Sequence, residues 1–557
     1  MKIFFCIREG IIFLLLSFSL AAQNNDDASY VQDNYFKREV YITMRDGAKL
    51  FTAIYRPKDS SVAYPILMER TPYSCNPYGE NNFPKRLGPN SELMKGKYII
   101  VYQDVRGRYK SEGDFKEMTP AIDNKRSNED VDESSDTYDT IDWLLKNTKS
   151  SGRVGLYGIS YPGFYASASL PDAHPAIKAV SPQAPVTDEF IGDDCNHNGA
   201  FFLLDNFGFY NYFDGERNAT RDDYKSVFDS ETENVYKFFL DMGPLKNANG
   251  PKYFHGTGIW GQILQHDTYD SFWQARNIRP HLKNIKPAVL VVGGWFDAED
   301  MFGALRTYEA IEKQTLENDN RIIMGPWTHG AWAGASWTKF GSYNFGANLN
   351  QYFKEIETKF FNYYLKDQGE LNLPEATVFE TGTNQWRQYT SWPPANVNNT
   401  IFYFGNRSKL STNKSTEKDS YTQYISDPNR PLPYTNGIYS ERNNEYLVED
   451  QRFAEKLSGV VSFKSDILTE DVTITGRIKA NLFVSTTGTD ADFIVKLIDV
   501  LSDNEPDPDP NPREFQMAGF ERMVRAEVFR GKFRNSYEKP EPFTPNKIEK
   551  ISFDLNF

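Results

Sequence analysis

The sequence predicts an α/β domain built on a mostly parallel sheet, carrying a helical insertion and followed by an all-β domain. Three observations carry this. Short apolar runs alternate with helical spacing up to residue 186 and again over 286–375, as strands and their covering helices do in a parallel sheet. Between these stretches, residues 187–285 lose the rhythm and become rich in aromatics, Asn and Asp. From 376 to 557, short alternating strands with Pro, Asn and Gly turns take over, the pattern of a sandwich or jelly roll.

The chain has 557 residues, 39% hydrophobic and 15% aromatic, enough for two or three domains with substantial cores. A net charge of −14 argues against a nucleic-acid partner, which would require a basic face. Lys2 and Arg8 precede an apolar run from Ile11 to Leu20, too short to span a bilayer, and Ser19-Leu20-Ala21 supplies small residues for cleavage. Residues 1–21 are therefore expected to be a signal peptide, with the mature protein periplasmic or secreted and not inserted in the membrane. Cys6 leaves with it; Cys75 and Cys195 form no disulfide framework and are either bonded or free.

In order, Val40–Met44 and Leu50–Tyr55 read as strands joined at Arg45-Asp46-Gly47. Tyr64–Glu69 and Tyr98–Gln103 follow, each ending in a polar loop: Arg70-Thr71-Pro72-Tyr73 and Asp104-Val105-Arg106-Gly107-Arg108. The acids crowding 129–139 read as a solvated face, and Tyr138, Ile141, Leu144 and Leu145 have helical spacing. Strands follow at Val154, Ile177–Val180, Ala288–Val292 and Arg321–Met324, and a helix with Ile356, Phe360, Tyr363 and Tyr364 on one stripe closes the domain. In the all-β part, Val378–Glu380, Thr400–Phe404, Gly459–Phe463, Val472–Ile478, Ala480–Ser485 and Phe493–Ile498 read as strands. Asp503–Pro512 is a stiff exposed loop without the ligand spacing of a calcium site.

The chemistry centres on Gly158-Ile159-Ser160-Tyr161-Pro162-Gly163. A buried strand breaks at Gly158, presents Ser160 and runs into a helix, the strand–serine–helix order of the α/β-hydrolase nucleophile elbow. The second glycine of the general G-x-S-x-G pattern is displaced by one, with Pro162 in its place. A serine needs an adjacent base, and in this fold the order along the chain is Ser, acid, His. Of six histidines, only His329 follows the last core strands, and Asp297 ends the preceding one in Gly293-Gly294-Trp295-Phe296-Asp297. Tyr161 N–H supplies one oxyanion donor. The phenol of Tyr73, in the loop after the third strand, fits either a buried structural role or the second donor.

With Arg70-Thr71-Pro72-Tyr73, the Asp104-Val105-Arg106-Gly107 loop, the displaced elbow glycine and Trp327-Thr328-His329-Gly330, the chain resembles the cocaine esterase and X-Pro dipeptidyl-peptidase superfamily. That resemblance implies an α/β-hydrolase domain with a helical cap, a C-terminal jelly roll and a tyrosine hydroxyl as second oxyanion donor, matching Tyr73. Within the superfamily, Asp297-Ala298-Glu299-Asp300 and Gly192-Asp193-Asp194-Cys195 are most similar to α-amino acid ester hydrolases, the β-lactam antibiotic acylases. The likeness implies an ammonium-binding carboxylate cluster of Asp194, Glu299 and Asp300, no metal or cofactor, and a homo-oligomer. Its substrates would be esters, amides or short peptides of α-amino acids with a free amine. The expected layout is a hydrolase domain at 22–186 and 286–375, a cap at 187–285 and a jelly roll at 376–557. Compared with the family, that jelly roll lacks its closing strands and is expected to be truncated. The alternatives are a cocaine-esterase-like or dipeptidyl-peptidase-like hydrolase, a glutaryl acylase disfavoured by the acids or, in another class, an inactive truncated product or jelly-roll binding protein.

Overall fold

The computed structural model describes residues 27–215, 220–229, 232–418 and 420–555. The expected leader at 1–21 lies outside them. Among the described residues no helix is long and apolar enough to cross a membrane.

One large sheet positions the site. Its strands are β1 (Tyr35–Thr43), β2 (Lys49–Pro57), β3 (Tyr64–Thr71), β4 (Ile99–Asp104), β5 (Ser150–Ile159), β6 (Ile177–Gln183), β7 (Ala288–Gly294), β8 (Asn320–Gly325), β9 (Ala376–Glu380) and β10 (Gln385–Tyr389). They lie in the order β1-β2-β4-β3-β5-β6-β7-β8-β9-β10. From β4 to β9 every neighbour is parallel, with antiparallel pairs at both edges.

Both faces of this sheet are dry, so its central strands are continuously apolar. Ile66, Met68, Val289 and Val291 point to one face, where they meet α1 (Glu133–Asn147), α2 (Tyr161–Ala168) and, downstream, α4 (Met301–Gln314). Leu67, Leu290 and Val292 alternate to the other face, covered by α5 (Leu349–Lys366). The buried stripe of α5 runs through Phe353, Ile356, Phe360 and Phe361, while Tyr363 faces solvent. Each fully buried phenylalanine there contributes roughly 1.5–3 kcal/mol. Within 187–285 the described residues include the helices α3 (Leu203–Phe213) and shorter ones at Val235–Met242, Gly258–Gln265 and Ser271–Arg276.

Several expectations are corrected. The acids at 129–139 are only partly a solvated face: Glu129 is exposed, whereas Asp132, Glu133 and Asp136 are buried. Asp132 caps α1 by accepting from Ser135 N–H at 2.9 Å, and Glu133 and Asp136 are buried against Arg70 at 2.7 and 3.7 Å. Asp136 also pairs with Arg106 at 2.7 Å, so this run locks β3 and the loop after β4 to α1. The boundary at 376 falls inside the hydrolase sheet, because β9 continues the parallel ladder beside β8 and β10 closes it. Further on, β11 (Lys479–Val484) pairs with β14 (Glu549–Asp554), and β12 (Asp492–Val500) with β13 (Glu521–Arg530). Gly459–Phe463 and Val472–Ile478 form no strand, and Val472 and Ile474 are exposed despite their alternation. Among the described residues these separate two-stranded ladders do not make a closed jelly roll.

Candidate active site

The nucleophile turn is set by close packing. Ser160 holds φ 67° and ψ −128°, a conformation costing a non-glycine residue about 1–3 kcal/mol. The turn is fastened by Ser160 N–H donating to Gln183 O at 2.9 Å and Phe164 N–H to Ser160 O at 2.9 Å. A Cβ at Gly158 would lie 2.2 Å from Pro162 O, and one at Gly163 would lie 2.6 Å from Gln183 O. The second glycine is therefore needed where α2 touches the end of β6, one position later than in the general motif.

The acid and the imidazole come from adjacent strand ends that touch. Phe296 N–H donates to Trp327 O at 2.9 Å, and a Cβ at Gly294 would meet that same oxygen at 2.2 Å. His329 Nδ1 lies 2.9 Å from Asp297 Oδ2 and 3.1 Å from Oδ1. Asp297 Oδ1 also accepts from Glu299 N–H at 2.9 Å and Asp300 N–H at 3.1 Å. Burial pushes the Asp297 carboxyl up, but the charge of His329 and these donors outweigh it and hold it below its ordinary value. Burial likewise opposes the His329 imidazolium, yet Asp297 and Glu299 carry its pKa up to about 10.

One carboxyl reaches the hydroxyl and others flank the imidazole. Ser160 Oγ is 3.5 Å from Asp300 Oδ2, and that oxygen is 3.9 Å from His329 Nδ1. His329 Nε2, the nitrogen that takes a serine proton in a triad, faces Glu299 Oε2 at 3.4 Å. Asp300 is fully buried and its Oδ1 has no hydrogen-bond partner. Burial, reinforced by Asp194 and Asp193, pushes the Asp300 carboxyl well up. Asp194, in the left-handed region at φ 34°, is pushed up by burial and by Glu299.

Tyr73 stands beside this group, its ring edge-on to Tyr161 with centroids 6.3 Å apart. Burial and the nearby Asp194 hold its phenol well above its ordinary pKa, so it remains a donor. The Tyr161 hydroxyl turns away and accepts from Met118 N–H at 2.8 Å, which leaves its backbone as the part near Ser160. Distances thus tie Ser160 to Asp300, Asp300 and Glu299 to His329, and His329 to Asp297, with Tyr73 packed on Tyr161 and Asp194 close enough to act on the charges of Tyr73 and Asp300. Among the described residues no group of three or more His, Cys, Asp or Glu is arranged to hold a metal ion. Cys75 and Cys195 are both buried and free.

Two supporting residues escaped the sequence reading. Asp193 accepts from Thr187 N–H, Thr187 Oγ1 and Asp188 N–H through Oδ2 at 2.7–2.9 Å, and from Gly303 N–H through Oδ1 at 2.7 Å. It pins the loop bearing Asp194 to the start of α4; its one sequence signal is its place next to Asp194. Arg442 reaches in from the C-terminal region to Glu299 and, at 3.1 Å, to Asp205. Nothing in its sequence neighbourhood marks it.

Fold and site together define a serine hydrolase. Residues 46–331 match the X-Pro dipeptidyl-peptidase (S15 family), and residues 370–556 match the X-Pro dipeptidyl-peptidase C-terminal non-catalytic domain. The chain belongs to this S15 family. Among curated proteins it is 26% identical over 492 residues to a cocaine esterase of Rhodococcus sp. (strain MB1 Bresler), covering 85% of this chain and 82% of that one. Among solved structures, an aminopeptidase from the marine sediment archaeon Thaumarchaeota archaeon is 32% identical with a TM-score of 0.85. A selenomethionine-labelled α-amino acid ester hydrolase is 31% identical with a TM-score of 0.85, and each match covers 94% of this chain and 86% of the other.

Proposed function

We propose that the enzyme hydrolyses esters, and amides, of α-amino acids whose amino group is free. The observation that carries this is the set of acids at the nucleophile: Asp300, buried with an unpartnered oxygen, reaches Ser160 Oγ at 3.5 Å, with Glu299 and Asp194 around it. A simple ester carries no charge that would offset three crowded carboxylates, whereas an α-ammonium one carbon from the scissile carbonyl does. One 31% identical solved protein is named an α-amino acid ester hydrolase and a 32% identical one an aminopeptidase, which agrees with this reading.

In the reaction, Ser160 Oγ attacks the acyl carbon as its proton passes to His329 Nε2, with Asp297 holding the imidazole at Nδ1. Tyr73 O–H and Tyr161 N–H donate to the oxyanion. The bond to the leaving group breaks and Nε2 returns the proton to it. Water then attacks the acyl-enzyme through the same base, and Ser160 is regenerated. A β-lactam amine taking the place of water would give acyl transfer. The ammonium also prepares the base: by taking up Glu299 it releases His329 Nε2, and by adding positive charge it lowers the imidazolium pKa.

The test compares a free α-amino ester with its N-acetylated counterpart. The expected result is a kcat/KM preference for the free amine of about 10-fold or more, with labelling by a fluorophosphonate lost in Ser160→Ala. Equal rates for the two esters would remove the ammonium site, and labelling of Ser160→Ala would remove the nucleophile. Export rests on the basic start and apolar run before Ala21, and fractionation of the expressing cell would check it.

A further inference from the structure

We propose that Arg442 is the positioning residue of the ammonium pocket: its guanidinium forks between Glu299 and Asp205 and fixes the Glu299 carboxylate against the reacting centre. This rests on the ammonium reading above and assigns the C-terminal region a part in it.

Of the three acids in the turn from Asp297 to Asp300, Glu299 is the one with a path to solvent. Its side chain is 24% exposed, whereas the side chains of Asp297 and Asp300 are fully buried. Asp297 and Glu299 crowd a single imidazole with Asp194 and Asp300 beside them, and this crowding favours turning an acid that can reach solvent out to water. Arg442 opposes this. One guanidinium nitrogen holds a Glu299 oxygen, another lies 3.1 Å from Asp205 on α3, and Nε donates to Asn444 Oδ1 at 2.9 Å. The second Glu299 oxygen is thereby aimed at His329 Nε2, 3.4 Å away, where the ammonium is received.

The arm that carries Arg442 is itself braced, since Asn443 N–H donates to the Tyr434 hydroxyl at 3.1 Å. The same region steadies the opposite wall of the pocket. On β13, Glu527 lies 3.1 Å from His197 Nδ1 and Val528 O accepts from Asn198 Nδ2 at 3.0 Å, holding the loop that presents Asp194. A Cβ at Gly199 would lie 2.3 Å from the Phe533 ring, so this contact leaves no slack. The ammonium pocket is complete only with the C-terminal region in place.

A competing expectation follows from charge alone: deleting a cation makes the pocket more negative and tightens ammonium binding. Placement outweighs it, because Arg442 sits behind Glu299 and a side chain displaced by about 1 Å loses on the order of 100-fold. The experiment measures Arg442→Gln with both esters. The expected result is a KM for the free amino ester raised about 10- to 100-fold, with the N-acetylated ester's KM within about 3-fold of wild type and its acid limb moved down in the same direction as in Glu299→Gln. Asp205→Asn, which removes only the outer anchor, should raise the same KM by a smaller factor and covers the case of a poorly folding Arg442→Gln. A lowered KM would show that Arg442 merely screens the pocket, and equal losses for both esters would show a general structural role; either overturns the proposal. Wild-type enzyme without a free-amine preference would instead sink the ammonium reading, so the two failures are distinguishable.

Discussion

Asp300→Asn removes one charge from the pocket with almost no change of shape. An α-ammonium on an acyl group held at Ser160 falls close to Asp300 Oδ2, which is 3.5 Å from the serine oxygen. At about 4 Å two unit charges attract by roughly 4 kcal/mol at an effective dielectric of about 20. Part of that is spent ionising a carboxyl whose proton is held by burial and by Asp194 and Asp193. A charge-assisted hydrogen bond nets about 1.5–3 kcal/mol, or about 10- to 150-fold. Asp300→Asn should lose that factor in kcat/KM with the free amino ester and little with the N-acetylated one. Stability should move the opposite way. The folded-state pKa of Asp300 is raised, so above the ordinary carboxylate pKa the unfolded chain ionises it more readily than the folded one does, and the group destabilises the fold. The melting temperature of Asp300→Asn should therefore exceed wild type at pH 8, the gain vanishing toward pH 4. A variant that loses both esters equally, or melts lower at pH 8, refutes the reasoning.

Glu299→Gln removes one of the carboxylates that carry the His329 pKa to about 10. The acid limb of kcat/KM with the N-acetylated ester should move down by about one pH unit or more; a limb that stays or rises contradicts this. Tyr73→Phe should lower kcat about 10²- to 10³-fold with either ester, KM changing little, as loss of one oxyanion donor does. Arg70→Met leaves Glu133 and Asp136 buried without their shared guanidinium and should destabilise by about 3–5 kcal/mol in urea unfolding. Burial already carries the Asp136 pKa up to about 6, so protonation relieves the variant and its deficit should be smaller at pH 5 than at pH 8.

What the sequence made legible is what backbone geometry demands. Gly158 and Gly163 mark contacts too close for any side chain, and strand ends carrying Ser160, Asp297 and His329 follow from apolar periodicity alone. What stayed hidden depends on residues far apart in the chain. Glu133 and Asp136 look solvated until Arg70 and Arg106, on distant strand ends, are folded onto them. The alternation of Val472 and Ile474 mimics a strand, but a strand needs a ladder partner, which local pattern does not supply. Arg442 is 143 residues from Glu299 in an irregular segment without periodicity, and so carries no local mark.

The tetrapeptide from Asp297 to Asp300 shows how one turn sets two carboxyls to opposite tasks. The start of α4 offers backbone donors, and Asp297 takes two of them together with the imidazole, which keeps it ionised and fit to orient His329. Asp193 takes a third, at Gly303. With these donors claimed, Asp300 faces the pocket with one oxygen unmet, and burial drives its pKa up instead of down. Two aspartates three residues apart are thus pushed in opposite directions by which of them pairs with the His329 imidazole and takes the N–H groups of the turn. The lowered one serves the base in every turnover. The raised one is costly to ionise in the empty site; on the proposed reading a substrate cation offsets that cost, and selectivity for a free amine and readiness of the base then share one electrostatic origin.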